Sequence, residues 1–510
     1  MHHDPRANTA VSGIASRFLY PLILLAIFVP TYVLIFDTKL DLNGDNARYY
    51  VLGKALSLGK GYVDIHSSEA GRAANVPPGY PALIGLVLKL VSSDFAAVKI
   101  ANGVFFFLSI LLLFFLFKYL STNIHLAFVG ALMVLLNGHL LRYSTLMMSE
   151  VPFLFFSTSA LYAFVKIKPS GNLARDPFFY LFLAALICSF YIRTAGLALL
   201  AGVALALVLG KKWKFLTVVL TSYSILILPW ILREKTSPGN TYIDQLLQVN
   251  PYRPELGQVG LSDILARIFT NAQRYIVREI PNGFFNFATG DLGAIEWLVG
   301  IGITLAIVGG LFKLEQHRCA IATYLAAALG ILLVWPESWF GVRFLLPIVP
   351  LLLFCLLNGT YHLLCLPLAR TAIKRKPSPL FLLLFAFLSL PHLQHVHALA
   401  KYGRDPDSWQ NYFEIARWVK HNTAAHSIVC CRKPFMFYLF SDRFVTTYQN
   451  TPDAGELIAD LRRKGVDYLV IDNLEYTTTH RYLIPAIEKN PDKFTLVHSL
   501  KNPDTWLLEF

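Results

Sequence analysis

The chain has 510 residues, of which 55% are hydrophobic and only 15% charged, with 38 phenylalanines. That balance excludes an ordinary soluble globule and points to a polytopic membrane protein. The formal charge of +13 does not mark a nucleic-acid binder, because Lys and Arg fall in short clusters between apolar runs rather than along one patch.

The N-terminal "MHHDPRANTAVSGIASR" is polar and basic, and the apolar run after it lacks a small-residue cleavage site. This predicts a retained first membrane helix rather than a cleaved signal. Further apolar runs follow, so that spans are predicted at about 18–36, 96–117, 125–141, 151–165, 178–191, 195–210, 215–232, 293–312, 319–335, 344–366 and 378–392, about eleven helices in all. With the N-terminus inside, the short inner loops hold Lys118; Lys166, Lys168 and Arg175; Lys211, Lys212 and Lys214; Lys313 and Arg318; and Arg370, Lys374, Arg375 and Lys376. Every one of them is basic, as the positive-inside rule requires. The run 79–91 breaks this alternation if counted as a span, and its shortness predicts a membrane-surface or re-entrant helix.

The same threading puts 37–95, 142–150, 233–292 and everything after about 395 on the outer side. In the last segment "SWQNYFEIARWVKHN" has helical periodicity, "SIVCCRK" and "VDYLVIDN" read as short buried strands, and "AGELIADLRRKG" is an amphipathic helix between them. The expected organisation is therefore a membrane domain over 1–395, with a first outer loop at 37–95, and a small outer α/β domain over 396–510. Four of the six cysteines (Cys188, Cys319, Cys355, Cys365) lie in apolar runs and Cys430 adjoins Cys431, a pattern with no disulfide framework or zinc spacing.

Ionisable residues gather in the outer segments. Asp45 in "GDNARYY" follows the Asn43-Gly44 turn signal and precedes a helical pattern over 46–58. It is expected to be the N-cap of that helix, a role Asp fills well, or a functional carboxylate. Beyond it, "NVPPGYPALIGLVLKL" predicts a rigid turn into the short apolar helix, with Tyr80 a candidate interfacial anchor. Glu150 stands at the outer start of a membrane helix, just before Pro152, and Arg142 just beyond the preceding helix. A first-turn carboxylate complements the helix dipole, yet ionisable groups at membrane depth also mark functional sites. Arg193 in "FYIRTAGLALL" and Arg343 in "WPESWFGVRFLLPIVP" depart from the charge rule on the outer side. Snorkelling explains a lone arginine there, whereas several together suit a phosphate, which the planar guanidinium binds well. Arg233 in "LPWILRE" is a weaker candidate. No GxGxxG or GxxxxGK[ST] motif is present.

The succession "GDNARYYVLGKALSLGKGY", "PPGYPALIGLVLKL", "MSEVPF", "GVRFLLPIVP", then "ARWVKHN" and "GVDYLVID", resembles the GT-C superfamily of membrane glycosyltransferases, in the bacterial branch related to protein O-mannosyltransferases and to the aminoarabinose transferase of lipid A. The resemblance implies a polytopic α-helical membrane fold with an extracytoplasmic C-terminal domain, in a bacterial inner membrane. It implies transfer of a sugar, with inversion, from a polyprenyl-phosphate donor to a lipid, glycan or protein acceptor. By that resemblance Asp45 is the general base, with Asp41 the neighbouring candidate; Glu150 positions the acceptor or assists the base; and Arg193, Arg343 and Arg142 hold the lipid phosphate. Arg48, Tyr49 and Tyr80 are candidates for orienting the acceptor or the loop. Many relatives carry two consecutive acids in the first loop, whereas Asn46 follows Asp45 here, so the resemblance implies no certain cofactor and leaves a divalent metal open. A transporter or lipid flippase is the competing class, disfavoured by the absence of internal repeats and by the outer soluble domain.

Overall fold

The computed structural model describes residues 5–42, 44–73, 76–168, 172–235, 242–286, 293–369 and 377–510. Asn43 and the basic residues Arg370, Lys374, Arg375 and Lys376 lie outside the described residues. The chain divides into two compact units. One comprises Met1–Thr38, Val98–Leu232 and Ile264–Lys401; the other comprises Lys39–Ala97, Arg233–Asp263 and Tyr402–Phe510. The helical part thus ends at Lys401, near the expected boundary, while the first loop groups with the C-terminal domain.

In the first unit every predicted apolar run is helical. Among the described residues six helices are long and apolar enough to cross a membrane, or seven if the bent pair Ile124–Leu135 and Gly138–Ser144, angled at 60°, is one span. Pro177–Ile192, Gly196–Leu209 and Arg318–Val334 have 16, 14 and 17 residues. At about 1.5 Å of rise per residue each falls short of a hydrocarbon core about 30 Å thick. The run at 344–366 is a short helix Val342–Leu345 followed by Val349–Ala369, and that at 378–392 is a tight 3-10 helix over Pro379–Ser389 continued by Leu390–Tyr402.

Small residues set the closest helix approach. A Cβ on Gly310 would lie 1.8 Å from the Cys355 carbonyl oxygen, and one on Gly359 would lie 2.0 Å from that of Ala306. The helices Ala294–Phe312 and Val349–Ala369 therefore meet backbone to backbone, and Asn358 Nδ2 donates to the Gly310 carbonyl across the seam at 2.8 Å. Without a hydrophobic driving force in lipid, such close approach and interhelical hydrogen bonding hold helices together.

The second unit is built on a five-stranded sheet. Its strands are β1 (Ile428–Cys430), β2 (Phe444–Thr446), β3 (Tyr468–Ile471), β4 (Thr495–Leu500) and β5 (Thr505–Glu509), in the order β2-β1-β3-β5-β4. β1 runs parallel to β2 and β3, and β5 is antiparallel to β3 and β4. β1, β3 and the helices Asp407–Asn422 and Ala454–Arg463 coincide with the sequence reading; β2, β4 and β5 are additional. One face of the sheet is covered by Trp409, Tyr412, Phe413 and Phe437, and Ala47 of the first loop is fully buried in that same cluster.

The first loop itself holds two helices, Asp45–Ser57 and Gly79–Leu90. Gly53 and Gly85 let them touch: a Cβ on Gly53 would be 2.6 Å from Ile84 Cγ2, and one on Gly85 2.9 Å from the Gly53 carbonyl. The short apolar helix predicted at 79–91 is thus present and packs on the helix that begins with Asp45. Arg233 ties down the rest of the loop by donating to the carbonyls of Tyr62 and Ala73 at 2.6 and 3.2 Å.

Gly310→Leu is expected to push the two helices of the seam apart and break the Asn358 bond, lowering stability by about 1–3 kcal/mol or more. Thermal unfolding of the purified protein in detergent measures this, with Gly302→Leu, where nothing lies within 4 Å, as the control that should melt like wild type.

Candidate active site

Within the first unit, Glu150, Arg193 and Arg343 meet. Glu150 opens the helix Glu150–Lys166 and is 1% exposed. The segment leading to it is fixed by buried Asn102, whose Nδ2 donates to the carbonyls of Leu146 and Met148 at 2.6 and 3.1 Å. Arg193 stands in extended conformation (φ −150°) at the break between Pro177–Ile192 and the helix that starts at Gly196, in a turn closed by Gly196 N donating to the Arg193 carbonyl at 2.9 Å. Arg343 is the second residue of the short helix Val342–Leu345, two residues after Gly341, whose φ of 121° is open only to glycine without strain.

One carboxylate oxygen gathers both arginines. Glu150 Oε1 accepts from Arg343 Nε at 2.6 Å and lies 2.8 Å from Arg193 Nη1, which also donates to Ser149 Oγ at 2.9 Å. The two arginine side chains are only 15% and 19% exposed. Glu150 Oε2 is buried without a hydrogen-bond partner among the described residues. Arg193 also lines an apolar cavity, together with Phe153, Tyr324, Trp335, Phe344 and Ile348.

Within the second unit lies Asp45. It is exposed and is the first residue of its helix; the capping position belongs to Gly44, at φ 89°. The expected N-cap role is therefore corrected by one residue: glycine makes the turn, and the Asp45 carboxylate stands in the first turn, where the helix dipole still favours it. Asn46 is fully buried, its Nδ2 donating to the Asp41 carbonyl at 2.7 Å, which pins the chain before the turn. Arg48 lies one turn on, 5.4 Å from the centre of the Phe435 ring, with Nε buried and unpartnered among the described residues.

The remaining candidates divide. Tyr80 is 1% exposed and packs edge-on against Tyr49 at 5.0 Å, so it is a core residue that orients Tyr49 rather than an anchor in the membrane interface. Arg142 is exposed on the bent segment Gly138–Ser144, and the partners of Glu150 are Arg193 and Arg343 rather than Arg142. The sequence reading missed Ser149 and also Arg432, Lys433, Asp472 and Tyr476. The last four follow the carboxyl ends of the adjacent parallel strands β1 and β3, the place where open α/β sheets bind ligands.

No family model matches the chain, and no curated protein does. Solved structures match it throughout. ArnT from Cupriavidus metallidurans bound to undecaprenyl phosphate aligns over 96% of this chain and 97% of its own, with a TM-score of 0.60 at 12% identity. The oligosaccharyltransferase AglB from Archaeoglobus fulgidus, in complex with an inhibitory peptide and a dolichol-phosphate, aligns over 88% of this chain and 69% of its own, with a TM-score of 0.57 at 12% identity. The same archaeal enzyme tethered to an acceptor peptide containing the NVT sequon covers 96% of this chain and 73% of its own, with a TM-score of 0.60 at 13% identity. This chain has the GT-C fold. In it the GT-C architecture carries a helical membrane part and a small C-terminal sheet, as the order of motifs implied.

The GT-C fold leaves a metal to be tested on the residues themselves. Among the described residues no three His, Cys, Asp or Glu side chains gather into a ligand set, and Asn46 stands where a second acid would follow Asp45. Among the described residues no donor set fits a divalent metal.

Breaking a buried ion cluster by removing the carboxylate that both arginines contact is costly. Glu150→Ala is expected to destabilise the protein by about 3–5 kcal/mol. Arg343→Gln should cost less, because Arg193 still holds the carboxylate. Thermal unfolding of the three purified proteins compares them.

Proposed function

We propose that the chain is a glycosyltransferase that moves a sugar from a polyprenyl-phosphate donor to a hydroxyl of a lipid, glycan or protein acceptor, with inversion at the anomeric carbon. The observation that carries this reading is the Arg193–Glu150–Arg343 cluster in a GT-C fold, two guanidiniums on one carboxylate beside an apolar cavity. Such a cluster suits a phosphate that ends a hydrocarbon chain. The donor phosphate lies against the arginines and the first isoprene units fill the apolar cavity.

In this reading Asp45 is the general base. Its carboxylate takes the proton of the acceptor hydroxyl as that oxygen forms a bond to the anomeric carbon, while the bond from that carbon to the phosphate oxygen breaks. The electron pair leaves with the polyprenyl phosphate. General-base assistance is worth about 10²–10⁴-fold. Arg193 and Arg343 stabilise the charge that grows on the departing phosphate, already oriented by Glu150 before substrate arrives. Glu150 is thus a positioning residue.

The basic loops favour an N-terminus inside and a site on the outer face of a bacterial inner membrane, with about eleven membrane-associated helices. The C-terminal domain is then extracytoplasmic, and Arg48 and Tyr49 line the approach of the acceptor.

Asp45→Asn is expected to lower turnover of a reconstituted polyprenyl-phosphate sugar at least 10²-fold while leaving undecaprenyl-phosphate binding unchanged; wild-type turnover would remove the base assignment. Arg193→Gln and Arg343→Gln should each weaken undecaprenyl-phosphate binding about 10–100-fold, the range of a lost charge-assisted hydrogen bond. Titration of detergent-solubilised protein with the lipid reads this directly, and unaltered affinity in both variants would take the arginines out of the site.

A further inference from the structure

The turn that carries Asp45 is bounded by a lysine from the other end of the chain. Lys433 follows β1 and immediately precedes the helix Pro434–Ser441. Its backbone is clasped by the fully buried Tyr412: the Lys433 N–H donates to the tyrosine oxygen and the tyrosine hydroxyl donates to the Lys433 carbonyl, both at 3.1 Å. Its ammonium lies 4.4 Å from the centre of the Tyr476 ring and its Nζ would be 3.3 Å from a Cβ on Gly44. Gly44 is glycine for its φ of 89°, and the lysine packs against it. Next to that contact, in the first turn of its helix, stands Asp45.

We propose that Lys433 is a positioning residue for the base: its ammonium, supplied by the C-terminal domain, holds the Gly44–Asp45 turn and the Asp45 carboxylate in the orientation that receives the acceptor hydroxyl. The inference rests on the reading of Asp45 as general base.

The surroundings favour a working charge over a surface lysine. Burial, and then Arg432 beside it, bring the Lys433 ammonium down to about 8, while Asp45 and Asp472 pull the other way. Among the described residues Lys433 makes no ion pair closer than the general attraction of those two carboxylates. The groups that face it are Asp45 from the turn, Arg432 from its own strand end, Asp472 and Tyr476 from the segment after β3, and Tyr412 from the helix Asp407–Asn422. Asp472 is 3% exposed and burial raises its carboxyl to about 6, so it is a carboxylate throughout the range in which the lysine titrates. Arg48, on the Asp45 helix, is engaged with Phe435. Below about pH 8 the lysine is charged and holds the turn; as pH rises through that value the proton leaves and the hold is lost.

The test is the pH dependence of turnover in the full-length protein with a reconstituted polyprenyl-phosphate sugar. Wild type should lose activity as pH rises through about 8. Lys433→Arg, which stays charged, should retain activity and carry that decline to higher pH. Lys433→Met should lower kcat about 10–100-fold, the scale of a misplaced catalytic group, with the KM for donor unchanged and no decline near pH 8. A Lys433→Arg profile that falls together with wild type overturns the proposal, whether or not Lys433→Met folds, and so does a fully active, folded Lys433→Met. Asp45→Asn in the same assay separates the two ideas. Full activity there removes the base itself, whereas an inactive Asp45→Asn beside an unaltered Lys433→Arg profile removes only the lysine.

Discussion

A carboxylate taken almost completely out of water must be paired, and Glu150 is paired twice. The cost of burying one ion is several kcal/mol even after relaxation, so the segments that bring partners to it are held to a narrow geometry. Three such segments converge: the start of the helix Glu150–Lys166, the break at Arg193, and the turn at Gly341 that delivers Arg343. Movement of any one of the three breaks a contact to Glu150. Arg193 sits where a helix has stopped, and Arg343 where another has barely begun. The helix interruptions in this unit are therefore where the arginines meet the carboxylate.

The second unit solves a different problem. Asp45 is exposed and needs no burial energy; what it needs is a fixed backbone. Ala47, two residues on, is buried among Trp409, Tyr412 and Phe437 of the C-terminal domain. Val51 and Ala55, on the next turns, pack with Ile65 against Phe435, Tyr438 and Leu439. Val445 N donates to the His66 carbonyl at 2.8 Å, so the same loop also meets the edge strand β2 of the sheet. A loop with two short helices could not hold itself rigid at this length. The sheet domain provides the core that the loop lacks.

Much of this was legible in the chain. The apolar runs, β1, β3 and the two amphipathic helices follow from periodicity, since each is a local pattern. Glu150, Arg193 and Arg343 stood out because charge beside hydrocarbon is expensive. Their convergence on a single oxygen was not legible, because it depends on the bend of helices whose ends the hydropathy profile leaves soft. The Asp45 cap was misread by one residue: cap preference favours Asp, but the preceding glycine reaches a positive φ that makes the turn first. Lys433 was invisible for a third reason. It lies 388 positions after Asp45 in the numbering, and nothing in "SIVCCRKP" names the segment it will face.

That separation has a structural consequence. Many of the residues that bury the Asp45 helix come from the last hundred or so positions of the chain, while the carboxylate itself is among the first fifty. Contacts so distant in sequence form only after the chain between them is ordered, because the entropy of closing the loop must be met before the contacts stabilise anything. The turn at Gly44 therefore acquires its final surroundings when the sheet domain has folded. Glu150, Arg193 and Arg343, by contrast, all belong to the helical unit. A chain that has folded its helices but not its last domain would still lack the contacts that fix the turn carrying Asp45.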